Sequence, residues 1–315
     1  MDGKVRMMSM RDSYSSALIE LGRKNHNVIV CDADLALSTK TKRFGMQFPE
    51  RFFDFGIAEA NMMSAAAGMA SCGKIVFASS FAAFATGRCY DQIRQSIAYP
   101  RLNVKIVATH AGISVGGDGA SHQMIEDMAI MRAIPNMTVI APADGNEAEA
   151  VIKAVAEFDG PCYVRMGRAD YPVVFDNLDG FRIGKAVTLR EGNGITLVST
   201  GVMLSETIKA AEILSCEGID ARVLHVHTLK PIDSDAISKA SKETGAIVTV
   251  EEHSIIGGLG SAVAEVTSEE APCRITRVGI RDCFGESGDG NELMKKYGLD
   301  ADNIVAAAKG LLGAK

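Results

Sequence analysis

Apolar residues along the chain fall into two alternating patterns. Short apolar runs of strand length occur at VIVC (28–31), KIVFAS (74–79), NVKIVAT (103–109), MTVIAP (137–142) and CYVRM (162–166). Longer runs with helical spacing lie around them, at 10–24, 57–72, 82–98, 122–132 and 145–158. Strands that read as continuous apolar runs are buried on both faces, and their alternation with helices predicts a parallel, doubly wound sheet. Such sheets bind ligands at the carboxyl ends of their strands. The polar and aromatic residues just past those ends are therefore the site candidates: Asp34 and Ser38, Ser80 and Phe81, His110, and Arg168.

The pattern breaks at 176–194, DNLDGFRIGKAVTLREGNG, which is polar and holds four glycines. A linker and an entering strand are expected there, followed by a second, smaller alternation. That alternation runs through ITLVST, a helix from about 203 to 217, ARVLHVH, a helix from 233 to 243, AIVTVEE, GLGSAVAEVTS, RITRVGI and helices near 291–297 and 301–312. The expected division is a first domain at 1–178, a linker at 179–193 and a second domain at 194–315, since 315 residues exceed the usual size of one domain. No internal repeat or low-complexity segment is evident.

Composition narrows the function classes. A net charge of −6 without a block of lysines and arginines argues against a nucleic-acid partner. No apolar run has the length to span a bilayer and MDGKVRMMSMRDS lacks an apolar leader core, so a cytoplasmic protein with no membrane partner is expected. The seven cysteines are odd in number and form no CxxC pair, as expected of reduced thiols packed like small apolar residues.

Four stretches carry candidate chemistry. In FDFGIAEANMMS (53–64), Glu59 sits in the first turn of a helix that is apolar nearly all round. It is either a partner of the helix dipole or a buried acid with chemistry to do. In THAGISVGGDGASHQ (109–123), four glycines permit close backbone approach to a ligand, Ser121 is placed to cap a helix starting at His122, and His110, Asp118 and His122 share one loop. The alternatives are a structural turn with solvated histidines, or metal ligation by those three side chains, whose spacing matches no recognised metal pattern. Phe81 and Phe84 in SSFAAFATGRCYDQIR are three apart and share a helical face, forming either a core stripe or a platform for a flat heterocycle. Arg11, Ser38, His110 and Arg168 would suit a dianionic phosphate. Arg165 rivals Arg168, because alternation in CYVRMGR leaves either free to point at the site.

Taken together, ADLALS, FFDFGIAEANM, SSFAAF, THAGISVGGDGASHQ, IPNMTVIAPAD and GPCYVRMGR resemble the pyrimidine-binding domain of transketolase. The tail FGESGDGNELMKKYGLDADNIVAAAKGLL resembles the end of the transketolase C-terminal domain. No stretch resembles the diphosphate-binding domain, so the resemblance implies the C-terminal subunit of a split transketolase. It would pair with an N-terminal subunit that binds the thiamine diphosphate and Mg2+, in an α2β2 assembly.

By the same resemblance Glu59 matches the acid that hydrogen-bonds N1′ of the cofactor's aminopyrimidine, and Phe81 and Phe84 match the aromatic residues packed on that ring. Asp34 matches an acid of the cofactor and substrate pocket. His122 matches the histidine that contacts the donor hydroxyls and assists proton transfer, and Asp118 an aspartate that reads a sugar hydroxyl. Arg11, Ser38, His110 and Arg168 match the set that holds the phosphate of a sugar phosphate acceptor. Ala120 departs from a frequent proline, and Gly87 from a frequent aromatic residue.

Gly117-Asp118-Gly119 followed by Asn146 imitates the GDG…N motif for magnesium and diphosphate, but it lies late in a loop and Asn146 falls in a helix turn, so coincidence is expected. The β subunit of a 2-oxo-acid dehydrogenase shares the two-domain plan but would not need the DGASHQ loop or the phosphate set. A 1-deoxyxylulose-5-phosphate synthase has a similar loop and is usually one chain. A binding module without catalysis would have no use for the buried acid.

Overall fold

The computed structural model describes residues 6–176, 178 and 180–313. The strands of its first half are β1 (Met7–Ser9), β2 (Val28–Asp32), β3 (Phe52–Asp54), β4 (Ile75–Phe81), β5 (Val104–Thr109), β6 (Thr138–Ile140), β7 (Cys162–Arg165) and β8 (Asp170–Pro172). Those of the second half are β9 (Val187–Arg190), β10 (Ile195–Ser199), β11 (Ala221–His225), β12 (Thr228–Lys230), β13 (Ala246–Ser254) and β14 (Arg274–Ile280). The helices are α1 (Met10–Lys24), α2 (Ala36–Thr39), α3 (Lys42–Gln47), α4 (Glu59–Ser71), α5 (Asp127–Ala133) and α6 (Gly145–Glu157), then α7 (Leu204–Cys216), α8 (Ser234–Thr244), α9 (Leu259–Glu270), α10 (Gly290–Lys296) and α11 (Ala301–Gly313).

The first sheet has the order β12-β6-β7-β5-β4-β2-β3, with all neighbours parallel except β12. Every residue of β2, β5 and β7 is buried, which is why these segments read as largely apolar runs, interrupted only by Asp32, Lys105, Thr109 and Arg165. Met10, Tyr14, Leu18, Val151 and Ile152 of α1 and α6 cover one face, and Met62, Met63, Ile93, Ile97 and Met131 cover the other. Each such side chain contributes roughly 1.5–3 kcal/mol on burial. The second sheet, β14-β13-β10-β11-β9, is parallel except for β9; one face builds a core around Leu197, Leu204, Val223, Val248 and Ile304, and the other, through Val198, Leu224 and Ile247, joins the cluster that covers the first sheet. The α/β class with two parallel sheets expected from the alternation is the observed one.

Three local expectations are corrected. ARVLHVH is not one strand: β11 ends at His225, and the chain then crosses to the first sheet, where β12 pairs with β6. There Lys230 Nζ donates to the carbonyls of Arg132 (2.8 Å) and Ile134 (2.7 Å). A three-residue strand has no periodicity to read, and it covers an edge that would otherwise be open. The stretch 82–98 winds with π-helical pitch at Ala83–Gly87 and Gln92–Ala98.

The helix expected from His122 starts instead at Asp127. Gln123 Nε2 donates to the carbonyls of Ile113, Gly116 and Glu286 (3.2, 3.2 and 2.8 Å), which draws the chain out of helical geometry. Ser121 consequently caps nothing, and its hydroxyl lies 2.9 Å from His122 Nδ1. All seven cysteines are free, but only Cys31, Cys89 and Cys162 are buried. Among the described residues, no helix is long and apolar enough to cross a membrane.

Candidate active site

The carboxyl ends of β2, β4 and β5 converge with the start of α4. Ala58 supplies no side-chain cap, so the first turn of α4 offers its free amides and positive dipole end to Glu59. Glu59 is 5% exposed, so the acid at the positive end of α4 is also a buried one. Arg88 Nη1 donates to Glu59 Oε1 at 2.7 Å.

Phe81 closes β4 and is buried, and Phe84 is half-buried. Their rings lie 5.8 Å apart at 23°, and the His110 ring stacks on Phe81 at 3.7 Å. His122 stands edge-on to Phe84 at 5.1 Å. The two phenylalanines are thus part of an aromatic column with both loop histidines, not merely a core stripe. Two residues bordering the site, Asp34 (φ 63°) and His110 (φ 57°), hold left-handed backbone conformations. Such conformations are uncommon outside glycine and gather at functional sites.

His110 is 3% exposed, with Thr109 Oγ1 2.9 Å from its Nδ1. Burial, then the charges of Arg11 and Arg168, pull its pKa down to about 3, so the ring is neutral at physiological pH. Arg11 Nη1 donates to the carbonyl of Ser38 at 3.0 Å. Arg11 and Arg168 border a cavity of about 780 Å³ between the domains, shared with Ser114, Tyr171, Lys209 and Asn291. Of the four phosphate candidates, the two arginines therefore share this cavity, Ser38 joins them through its backbone, and His110 lies deeper.

The rivalry between the two arginines of CYVRMGR is resolved. Arg165 is buried, its Nε donating to Asp127 Oδ2 (2.9 Å) and its Nη2 to the Glu252 carbonyl (2.8 Å). The Arg168 side chain is 43% exposed, donates to the Val115 carbonyl at 2.7 Å and lies 3.7 Å from Asp118 Oδ1. Asp118 and Asp34 are both exposed, and Asp34 N–H donates to Asp54 Oδ1 at 2.9 Å. Among the described residues no three His, Cys, Asp or Glu side chains gather as a metal ligand set. Asn146 donates to the Phe175 carbonyl and lines a different groove from Gly117, so the imitated GDG…N pair does not meet at one cavity. His253 is fully buried, with Nδ1 2.7 Å from the Ser254 carbonyl and a pKa pulled to about 4 by burial, and takes no part in the site.

Sequence reasoning missed three supports. Asp32, at the end of β2, accepts from Leu35 N (2.8 Å), Thr39 Oγ1 (2.7 Å) and Thr41 Oγ1 (2.7 Å), bracing the loop that carries Asp34 and Ser38. Burial lifts its carboxyl to about 6. Its signal was an acid terminating an apolar strand. Glu252 accepts from Ser114 N at 2.6 Å, and a Cβ on Gly112 (φ 84°) would collide with its carboxylate. Ser287 Oγ donates to the Gly117 carbonyl at 2.7 Å. The second domain thereby braces the glycine-rich loop, a role invisible without the tertiary contacts. The third support is Arg88, which no periodicity marked.

A mostly parallel sheet with a buried acid and an aromatic pair near its carboxyl edge is thus joined to a smaller α/β domain. Residues 6–174 match the family model "Transketolase, pyrimidine binding domain" and residues 184–304 match "Transketolase, C-terminal domain". The chain belongs to the transketolase family, which uses thiamine diphosphate. It is 54% identical to a putative transketolase C-terminal section of Methanocaldococcus jannaschii, over 94% of each chain. It is 46% identical to a 6-deoxy-6-sulfo-D-fructose transketolase subunit of a Clostridium species, over 95% of this chain and 93% of that one. A solved split-gene transketolase, described as an inactive β4 tetramer, superposes with a TM-score of 0.92 at 51% identity, covering 98% of this chain and 99% of that one. Within the family, the chain corresponds to the C-terminal subunit of a split transketolase.

Proposed function

We propose that this chain is the C-terminal subunit of a thiamine-diphosphate-dependent transketolase that moves a two-carbon ketol unit from a ketose phosphate to an aldose phosphate. The observation that carries the reading is the buried Glu59 carboxylate, linked through Arg88 to the Phe81–Phe84 pair, an acid and a flat apolar surface suited to a protonatable heterocycle. An N-terminal partner holds the diphosphate and Mg2+, completing an α2β2 enzyme. When bound, thiamine diphosphate supplies the nucleophilic carbon and the electron sink for cleaving the bond beside a ketose carbonyl.

The remaining roles fall to this chain's side chains. Glu59 shares a proton with the pyrimidine ring nitrogen, while Phe81 and Phe84 seat the ring and Asp34 borders the pocket. His122, edge-on to Phe84, faces the donor hydroxyls and moves a proton at the reacting carbon's hydroxyl. Asp118 reads a sugar hydroxyl. Arg11 and Arg168 supply the cationic contacts to the acceptor phosphate, with Ser38 beside them. His110 serves as a neutral hydrogen-bonding group, since its low pKa denies it a charge.

The test is ketol transfer from xylulose 5-phosphate to ribose 5-phosphate with thiamine diphosphate and Mg2+, using this chain alone and then with the N-terminal partner. Activity in the pair, lowered on the order of a thousandfold by Glu59→Gln, is the expected result; activity of this chain alone would overturn the shared site. A 6-deoxy-6-sulfo ketose is the second donor to assay, because the Clostridium relative is named for that substrate and a guanidinium can donate to the oxygens of a sulfonate as it does to those of a phosphate.

A further inference from the structure

Arg88 stands where the two proposed pyrimidine contacts meet. Its Nη1 donates to Glu59 Oε1 at 2.7 Å, and its guanidinium carbon lies 4.0 Å over the Phe84 ring. It follows directly on the π-helical segment Ala83–Gly87, a winding often found at functional positions. At the preceding Gly87 a Cβ would meet open space.

The pair is unequal: the Glu59 side chain is 6% exposed and that of Arg88 is 51% exposed. An ion pair between two exposed partners is worth about 1 kcal/mol or less. Here one partner is buried, and removing the other leaves its carboxylate uncompensated. Among the described residues, the second oxygen of Glu59, Oε2, takes no hydrogen bond. One oxygen is held and the other is offered. A carboxylate turns freely about its last bond, and productive contact with a ring nitrogen requires that this rotation be fixed.

We infer that Arg88 is a positioning residue for Glu59: seated over the Phe84 ring, it holds Oε1 and so turns Oε2 toward the thiamine pyrimidine. The inference rests on the function proposed above. Lysine keeps the charge but not the planar, stacked donor, so it reproduces the contact only in part.

The test uses the complex of this chain with its diphosphate-binding partner and compares Arg88→Ala, Arg88→Lys and, as control, Glu59→Gln. Three quantities are read: the thiamine diphosphate Kd by fluorescence quenching, kcat at saturating cofactor, and the thermal midpoint. For Arg88→Ala, the expected result is a Kd weakened about tenfold and a kcat lowered about ten- to a hundredfold, with the lysine variant between alanine and wild type. A lowered midpoint with Kd and kcat unchanged would show a merely structural pair and overturn the inference. Tighter cofactor binding in Arg88→Ala would overturn it too, by showing that the guanidinium competes for the pyrimidine seat. Full turnover in Glu59→Gln would sink the proposed function itself, an outcome read independently of the Arg88 variants.

Discussion

Two sets of charged side chains lie in apolar surroundings, and they are finished differently. Between the domains, Asp127, Arg165, Glu252 and His253 are sealed from solvent; Arg165 is held by Asp127, and Glu252 accepts from Ser114. Nearby, Glu147 Oε2 lies 2.8 Å from His225 Nε2 with both side chains fully buried. At the sheet edge, Glu59 is held through one oxygen by a half-exposed arginine, while Asp34, Asp118 and Arg168 reach solvent. Burial of charge alone thus does not separate structure from function. Nor does an unpartnered oxygen, since Glu147 Oε1 and Glu252 Oε2 are themselves buried without a hydrogen-bond partner; the difference lies in access, because Glu59, in the first turn of α4, is paired with an arginine that is half exposed to solvent.

That contrast predicts opposite consequences for similar substitutions. Glu59→Gln should lower ketol transfer on the order of a thousandfold, while the thermal midpoint of the complex moves little. Loss of activity caused by unfolding would place Glu59 with the structural set.

Asp127→Ala should do the reverse, stranding Arg165 and destabilising the chain by about 3–5 kcal/mol, read as a lowered urea midpoint. Smaller effects follow for the second arginine. Arg168→Ala should raise KM for a phosphorylated acceptor by the equivalent of about 1.5–3 kcal/mol, leave an unphosphorylated acceptor unaffected, and keep the urea midpoint of wild type. Equal losses for both acceptors would remove Arg168 from phosphate recognition.

The smallest effect concerns Asp32, whose folded carboxyl is raised to about 6 from an ordinary 3.8. The folded state takes up this proton before the unfolded chain does, so Asp32 contributes increasing stability as pH falls from about 6 toward 4. The buried neutral His227 and His253, both pulled to about 4 by burial, act in the opposite sense over a similar range. Comparing Asp32→Asn with wild type isolates the first contribution: the variant should lack a gain on the order of 2 kcal/mol between pH 7 and 4. Parallel stability curves for the two proteins would show that Asp32 does not titrate there.

Much of this molecule was legible before any coordinates. The strands at 28–32, 75–81, 104–109 and 162–165 announced themselves because a strand buried on both faces is mostly apolar, with its few polar residues, such as Asp32, Lys105 and Arg165, held by partners inside. Glu59 was legible as an acid in the first turn of an Ala/Met-rich helix, and Asp34 and His110 as polar residues just past strand ends. The starts of α5 and β12 were not, since a glutamine donating to three carbonyls and a three-residue edge strand depend on neighbours far along the chain.

The sequence by itself determined the α/β class, the order of the principal elements and the residue types gathered at the carboxyl edge, because periodicity and strand-end placement are local properties. Only the tertiary structure decided that Arg165 is sealed and Arg168 open, that Arg88 pairs with Glu59, and that the second domain braces the glycine-rich loop. Those choices turn on which groups approach within hydrogen-bonding distance across separations of 29 to 170 residues, and such long-range pairing leaves no period in the chain.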